Sequence, residues 1–382
     1  MRNGAAKRHL KREVSTIKDW GKSMTIDKQT IADSFKKNTN KVILGIDGYV
    51  DEVWQLVESR DEESTATLFT RMSHYAERIM QTGGGGMSVE IVRKRRGFGG
   101  FTANTGNAVA RLGVDTTMLS LYGAGTLDPV FEPFLEMCRV ISVGAPATTH
   151  IFEFDDGKIM LPYVESILGF NWQSLLDALG RETVVSLLAE SSIIALGYWS
   201  SMPTFDEVIA QVCACLPNDG KPRRIFTDFA ELRKRSEASL VSTLRMMKEL
   251  NKKIPITFSM NEHEGAQVFA LYNEPLTVQH PPSPEQIENV RRQLGLDEIV
   301  VHTPYYAAAA TTQEGTFIAA QEFCEKPVRT TGAGDTFNGS YIAACAAGLS
   351  IAQRLWFANT GVSYFLNNGE APSLEQILGK LT

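Results

Sequence analysis

The run Arg329-Thr330-Thr331-Gly332-Ala333-Gly334-Asp335-Thr336-Phe337-Asn338-Gly339 sets a carboxylate directly behind two glycines spaced by one alanine. A small-residue apolar stretch, Ser340 to Ala347, follows and closes at Gly348. Glycines let the backbone turn tightly, so that several N–H groups point into one concavity. A helix starting there adds its first-turn N–H groups and its dipole, and together these attract anions. Such a cradle suits a transferring phosphoryl group, whose negative charge spreads over its equatorial oxygens in the transition state. Asp335 stands where the amides of Gly332, Ala333 and Gly334 converge, within reach of an attacking hydroxyl whose proton it would take. Asp is also a common helix N-cap, and the local sequence leaves both roles open.

Other segments carry groups that complement such a centre. Gly99-Gly100-Phe101-Thr102-Ala103-Asn104 opens a helical stretch that runs through Asn107-Ala108-Val109-Ala110-Arg111 to Leu112-Gly113. Gly99-Gly100 reads equally well as a plain turn, with Asn104 in the first turn of the helix. Asn261-Glu262-His263-Glu264 follows the apolar run Ile254–Phe258, and its acids read alternatively as solvated surface charges. Asp47 and Asp51 follow the apolar run Lys41–Ile46, and Thr303 follows Glu298–His302.

Taken in order and separation, these segments resemble the ribokinase-like (PfkB) carbohydrate kinases, over roughly residues 41 to 382. The resemblance implies that Asp335 is the catalytic base, with the Gly332, Ala333, Gly334 and Asp335 amides as anion hole. It implies an acceptor site at Asp51, Gly99, Gly100 and Asn104, with Asp47 a second candidate because the spacing after Gly45 is one residue longer than expected. It gives Asn261 and Glu264 to Mg²⁺, through water, and Thr303, Thr331 and Gly334 to ATP. Thr227-Asp228-Phe229-Ala230-Glu231-Leu232-Arg233 is similar to the strand-end Asp and downstream Arg of the family. The implied activity is ATP-dependent phosphorylation of a hydroxyl on a sugar or sugar-like small molecule, in a cytoplasmic enzyme.

Two departures keep other readings open. Arg329 stands where the family usually carries an Asp, which in some members helps to hold an activating monovalent cation; a guanidinium would repel that cation or replace it as a fixed charge. Tyr305 and Ala308 stand where glycines are expected near the nucleotide. They motivate a ligand-binding protein without phosphotransfer. Phe101, placed to stack on a base, motivates a nucleoside kinase of the same superfamily, with core packing as its ordinary alternative.

The elements that must position these groups are legible as an alternation. Apolar runs at 41–46, 116–121, 192–196, 224–227, 254–258 and 298–302 predict buried strands, and helical patterns fall at 104–112, 171–189, 205–215, 236–251 and 284–294. That order predicts an α/β fold with a mainly parallel sheet flanked by helices. Thr149–Phe154 and Lys158–Pro162 read as a hairpin across Asp155-Asp156-Gly157, and Ser88–Arg93 as a strand with one wet face. Residues 65–81 read as a helical mixture ahead of the turn Gly83–Gly86. With the resemblance, this gives a ribokinase-like three-layer α/β/α sandwich and a small β-sheet lid drawn from segments near 48–98 and 148–165. The open edge of strand 88–93 gives a homodimer through the lid as an expectation, and Arg93-Lys94-Arg95-Arg96 serves either to blunt that edge or to meet a phosphorylated acceptor.

Composition narrows the class. The 382 residues carry a net charge of −6, which disfavours a nucleic-acid partner. The five cysteines lack framework spacing and read as reduced thiols, as in a cytoplasmic protein. No apolar run is long enough to cross a membrane. Residues 1–40 read as an N-terminal extension, helical or partly disordered, ahead of a kinase domain over 41–382. No strand precedes Gly21-Lys22-Ser23, so a P-loop is rejected, and no Gly-x-Gly-x-x-Gly follows a strand.

Overall fold

The computed structural model describes residues 27–381, so most of the extension expected over 1–40 lies outside the described residues. The helix Lys28–Lys37 is described, and it buries Ile31 and stacks Phe35 on Phe357.

Fourteen strands form two sheets among the described residues: β1 (Val42–Gly45), β2 (Tyr49–Arg60), β3 (Ala66–Leu68), β4 (Ile91–Gly99), β5 (Thr116–Ser120), β6 (Arg139–Ser142), β7 (Ala147–Phe154), β8 (Gly157–Tyr163), β9 (Ile193–Leu196), β10 (Arg224–Asp228), β11 (Ile256–Asn261), β12 (Glu298–His302), β13 (Tyr306–Thr311) and β14 (Gly315–Ala320). The main sheet runs β14-β13-β12-β11-β10-β9-β1-β5-β6. All its pairs are parallel except β12–β13 and β13–β14.

Alternation along each strand makes three layers. Ile43, Ile194, Leu196, Ile225, Ile299 and Val301 face a core shared with the helices Trp172–Leu179, Arg181–Glu190, Phe205–Cys215, Glu237–Asn251 and Pro284–Leu294. Their neighbours Val42, Leu44, Ile193, Ala195, Phe226 and Val300 face the opposite core, built with the helices Phe101–Arg111, Ala333–Ala346 and Ile351–Asn368. Successive side chains of a strand point to opposite faces, so a strand buried on both sides is apolar along most of its length, and buried exceptions such as Glu298 are paired, here with Arg354. That is why these runs are continuous rather than alternating. The result is a three-layer α/β/α sandwich.

The smaller sheet pairs β3-β2-β7-β8, with β4 on the other side of β2. It lies over the C-terminal edge of the parallel strands, joined to them through Gly48 at one end of β2 and Gly99-Gly100 at the end of β4.

Several expectations need correction. Residues 65–81 are not helical throughout: β3 comes first, and the helix spans Met72–Gln81. The helix expected over 171–189 is two helices broken at Gly180, whose φ of 75° lies in the left-handed region. The strand expected at 88–93 begins at Ile91 and continues to Gly99. The stretch after His302 turns back as two antiparallel strands, so Ala308 is wholly buried in β13. No described helix is long and apolar enough to cross a membrane.

Candidate active site

The loop Thr330–Gly332 reaches the Ala333–Ala346 helix through Gly332, whose φ is 91°. Thr336 donates to the Gly332 carbonyl from both N–H (2.9 Å) and Oγ1 (2.8 Å), which fixes the turn. The Ala333 N–H donates to the Thr330 carbonyl at 3.0 Å. That leaves Gly334 and Asp335 as the first-turn amides with no acceptor inside the helix.

Asp335 is buried and takes three donors: Tyr198 OH at 2.6 Å, Asn104 Nδ2 at 3.1 Å and Thr105 Oγ1 at 3.4 Å. Its pKa is pushed up to about 8, chiefly by burial, with the charges of Asp228 and Asp47 adding to the effect and the Tyr198 and Asn104 hydrogen bonds opposing it. A carboxyl of that strength takes a proton at neutral pH far more readily than an ordinary Asp.

Asn104 and Thr105 reach Asp335 because two helices approach unusually closely. A Cβ on Gly339 would stand 2.5 Å from Ala108 Cβ and 2.6 Å from the Thr105 carbonyl oxygen. The Phe101–Arg111 helix is aimed by Asp47, whose carboxylate accepts from the N–H groups of Phe101 (2.7 Å) and Thr102 (2.8 Å) and from Thr102 Oγ1 (2.7 Å). Asp47 is only 1% exposed, so the structure gives this carboxylate to the helix N-terminus. Gly100 passes beside it with φ 87°, where a Cβ would meet Asp47 Oδ2 at 2.5 Å. Phe101 is fully buried, edge-on to Tyr198 at 5.7 Å, which makes it core packing and removes it as a surface for a base.

Asp51 occupies a different place. It lies near the start of β2, where the carboxylate crosses onto Gly99: a Cβ there would come within 2.6 Å of Asp51 Oδ2. Burial raises its pKa, while the Thr149 hydrogen bond and the charges of Arg329, Lys158 and Arg95 pull the other way. Lys158, in β8 of the lid, donates to Thr331 Oγ1 and so joins the lid to the Thr330–Gly332 loop. Arg329 lies over the Phe365 ring at 5.6 Å, and its charge acts on both Asp51 and Asp335. Arg96 makes two 2.7 Å bonds to Asp128 and Arg95 pairs with Glu153 at 3.3 Å, so these two arginines of the basic run are engaged within the chain.

On the far side of Asp335 opens a cleft of about 820 Å³ that gathers Asp228, Asn261, Glu264, His302, Thr303 and Gly334. Asn261 and Glu264 cap the helix Glu262–Ala270 reciprocally: Glu264 accepts from the Asn261 N–H (3.0 Å) and Nδ2 (2.5 Å), and Asn261 Oδ1 accepts from the Glu264 N–H (3.0 Å). Glu264 is 2% exposed and is no solvated surface charge; burial holds its pKa well up, and neighbouring Asp228 adds to this. Asp228, raised to about 6 by burial, accepts from Asn338 Nδ2 at 2.7 Å and the Ala230 N–H at 2.7 Å. Thr303 turns the chain into β13, its Oγ1 accepting from the N–H groups of Tyr305 and Tyr306 at 3.0 Å. Tyr305 stacks on Phe323 at 5.0 Å, and neither it nor Ala308 lines the cleft.

The candidate residues thus fall into two groups that meet at Asp335: Asp51, Gly99, Gly100 and Asn104 under the lid, and Asn261, Glu264, Thr303 and Gly334 along the cleft. Thr331 faces the lid rather than the cleft. Sequence reasoning missed Tyr198, Thr105 and Lys158. Tyr198 was signalled only by its place just past a parallel strand, where such sheets put their sites. Lys158 looked like an ordinary charge after a hairpin turn.

A family model described as prokaryotic ketohexokinase matches residues 23–381. A ketohexokinase from Haloferax volcanii is 24% identical over 344 residues, covering 88% of this chain and 89% of that one. Among solved structures, Arabidopsis thaliana ribokinase, complexed with ribose and ATP, aligns with a TM-score of 0.59 at 16% identity over 90% of this chain and 98% of its own. A Methanocaldococcus jannaschii nucleoside kinase of the ribokinase family aligns at 0.56 and 14% identity, over 90% and 98%. The fold is therefore that of the ribokinases, and the chain belongs to the prokaryotic ketohexokinase family, a family of carbohydrate kinases.

Proposed function

We propose that this chain transfers the γ-phosphoryl group of ATP to a hydroxyl of a ketohexose. One observation carries the reading. A buried carboxyl with its pKa near 8, Asp335, sits beside the Gly334 and Asp335 amides, between the cleft and the lid. A proton acceptor and an anion cradle on the same helical turn serve the two demands of phosphoryl transfer to an alcohol.

The nucleotide takes the cleft, with Gly334 and Thr303 at its phosphates; Thr331, facing the lid, lies outside it. The acceptor lies under the lid against Asp51, Gly99, Gly100 and Asn104, and Asp51 is the acid that binds it, since Asp47 is spent on the helix. Gly99 and Gly100 are needed because any side chain there would collide with Asp51 or Asp47. Closure over the acceptor excludes water that would otherwise hydrolyse ATP.

The residues also fit a magnesium ion. Asp228 and Glu264 are two buried carboxyls whose pKa values are both raised and which lie beside one another in the cleft. Negative charge concentrated there is what a divalent cation would neutralise. Asn261 and Glu264 would hold Mg²⁺ through water, and the bound ion supplies charge neutralisation across the phosphate oxygens. We place the enzyme in the cytoplasm, where its free cysteines stay reduced, and as a homodimer through the lid.

The test is ADP release with Mg²⁺-ATP across ketohexoses, aldoses, sugar phosphates and nucleosides, with Asp335→Asn as control. Release that depends on a ketohexose and is lost in the variant supports the reading. Release with nucleosides alone, or ATP binding without release for any acceptor, would overturn it.

A further inference from the structure

We infer that Lys158, beside the turn of the lid hairpin, closes on the transferring phosphoryl group from the side opposite the Gly334 and Asp335 amides. The inference rests on the kinase reading above and adds to it a catalytic residue carried by the lid.

Lys158 and Thr331 are 173 residues apart in the chain, yet the ammonium donates to Thr331 Oγ1, one residue before Gly332 of the anion loop. The same ammonium acts on the Asp51 carboxylate on the acceptor side. It therefore stands between the group that would hold the sugar and the loop that would hold the phosphate.

The hairpin fixes this position. The Asp155 N–H donates to the Thr70 carbonyl at 2.7 Å, and Asp156 Oδ1 accepts from the Met72 N–H at 2.9 Å. Gly157 passes so close to the same segment that a Cβ would stand 2.8 Å from Met72 Sδ. Lys158 is the next residue. In register, Lys158 pairs with Glu153, and Val53 pairs with both Arg95 and Ile151, so Arg95, Glu153 and Lys158 share one face of the lid.

Three cations surround Asp51, but they are not equivalent. Arg95 is paired with Glu153, and the Arg329 guanidinium lies over Phe365 with its Nε buried. Lys158 is hydrogen-bonded to a neutral hydroxyl instead of a carboxylate. An ammonium has three donors, so two remain for the equatorial oxygens of a phosphoryl group. In the step itself the acceptor O–H bond breaks and its proton passes to the Asp335 carboxylate. The acceptor oxygen forms a bond to the γ-phosphorus, and the bond to the bridging oxygen breaks, its electron pair leaving with ADP. Lys158 keeps its protons throughout and stabilises the charge spread over the three equatorial oxygens.

The experiment compares wild type, Lys158→Met and Lys158→Arg in ketohexose-dependent ADP release, with folding checked by Tm. The expected result is a kcat lower by about 10²-fold in Lys158→Met, a ketohexose KM within about threefold of wild type, and partial recovery in Lys158→Arg. Calorimetry supplies a readout without turnover. Lys158→Met should bind ADP with aluminium fluoride and ketohexose much more weakly than wild type, while its affinity for ADP alone stays unchanged. Wild-type kcat in Lys158→Met, or a loss confined to KM, overturns the assignment while leaving the kinase reading intact. A wild type with no turnover on any sugar overturns both.

Discussion

At the scale of single residues, the pKa of Asp335 makes the site testable without a ligand structure. As the proposed base, Asp335 must be ionised in the free enzyme, so kcat/KM should rise with pH through about 8 and level off above it. Tyr198→Phe removes a hydrogen bond that favours the ionised form and should move that limb to higher pH. A limb that stays put would show that Asp335 is not the titrating group. The same shift has a consequence for stability. The folded pKa lies above the ordinary Asp value of 3.8, so the unfolded chain ionises first, and stability falls as pH rises from about 4 to about 8. Asp335→Asn removes this cost. At pH 8 it should raise Tm by about 2 °C or more while abolishing turnover, a trade between stability and function; at pH 4 its Tm should match wild type. The two acids after β1 separate in the same way. Asp47→Ala should lose about 1–2 kcal/mol of stability by uncapping a helix, whereas Asp51→Ala should keep its Tm and raise the sugar KM. Denaturant unfolding and steady-state kinetics on both variants check this, and the reverse pattern would return Asp47 to the acceptor site.

Among elements, the contact of the Phe101–Arg111 and Ala333–Ala346 helices governs the geometry. Gly339→Ala puts a methyl where Ala108 and the Thr105 backbone already are. Overpacking of this kind costs about 1–3 kcal/mol, and pushing the helices apart should also lengthen the Asn104–Asp335 bond. Both stability and kcat should therefore fall, although residue 339 touches no substrate; loss of stability alone would mean that the helices shift without disturbing the base. This element also shows what the sequence could reveal. The loop Gly332–Asp335 was readable as a tight turn ahead of a helix because such turning demands glycine, a local property. The parallel strands β1, β5 and β9 to β12 were readable because burial on two faces makes them mostly apolar; β6, exposed on part of its length, was not. Tyr198 was not, since its hydroxyl meets Asp335 across 137 residues of chain and nothing in its neighbours encodes that meeting. Asp47 and Asp51 could not be told apart for a similar reason. The bond that commits Asp47 comes from a helix more than 50 residues away, and β2, which presents Asp51, mixes charged and apolar residues too irregularly for its period to show. The antiparallel turn into β13 hid behind expected glycines, because Tyr306–Thr311 is an alanine run that is neutral between helix and strand until it is placed beside β12.

Across the whole molecule, the lid sheet poses the problem of its edges. Exposed strand edges invite pairing, and charge is a common way of preventing it. β4 carries Arg93, Lys94, Arg95 and Arg96 along one edge. β8, the opposite edge, exposes Met160, Leu161 and Tyr163. The charged edge is thus protected and the apolar one is left open, so a homodimer through the lid, if it pairs by an edge, would use β8 in preference to the strand near 88–93. Covering these side chains in a dimer would also hold the hairpin that carries Lys158, coupling assembly to the site. Leu161→Lys places a charge in the middle of that edge. Wild type should sediment as a dimer at micromolar concentration and the variant as a monomer, with the variant's kcat lowered because its hairpin is held by one chain alone. A monomeric wild type would overturn the dimer. A monomeric variant with full kcat would keep the dimer and show that residues 70–72 suffice to hold Lys158 in place.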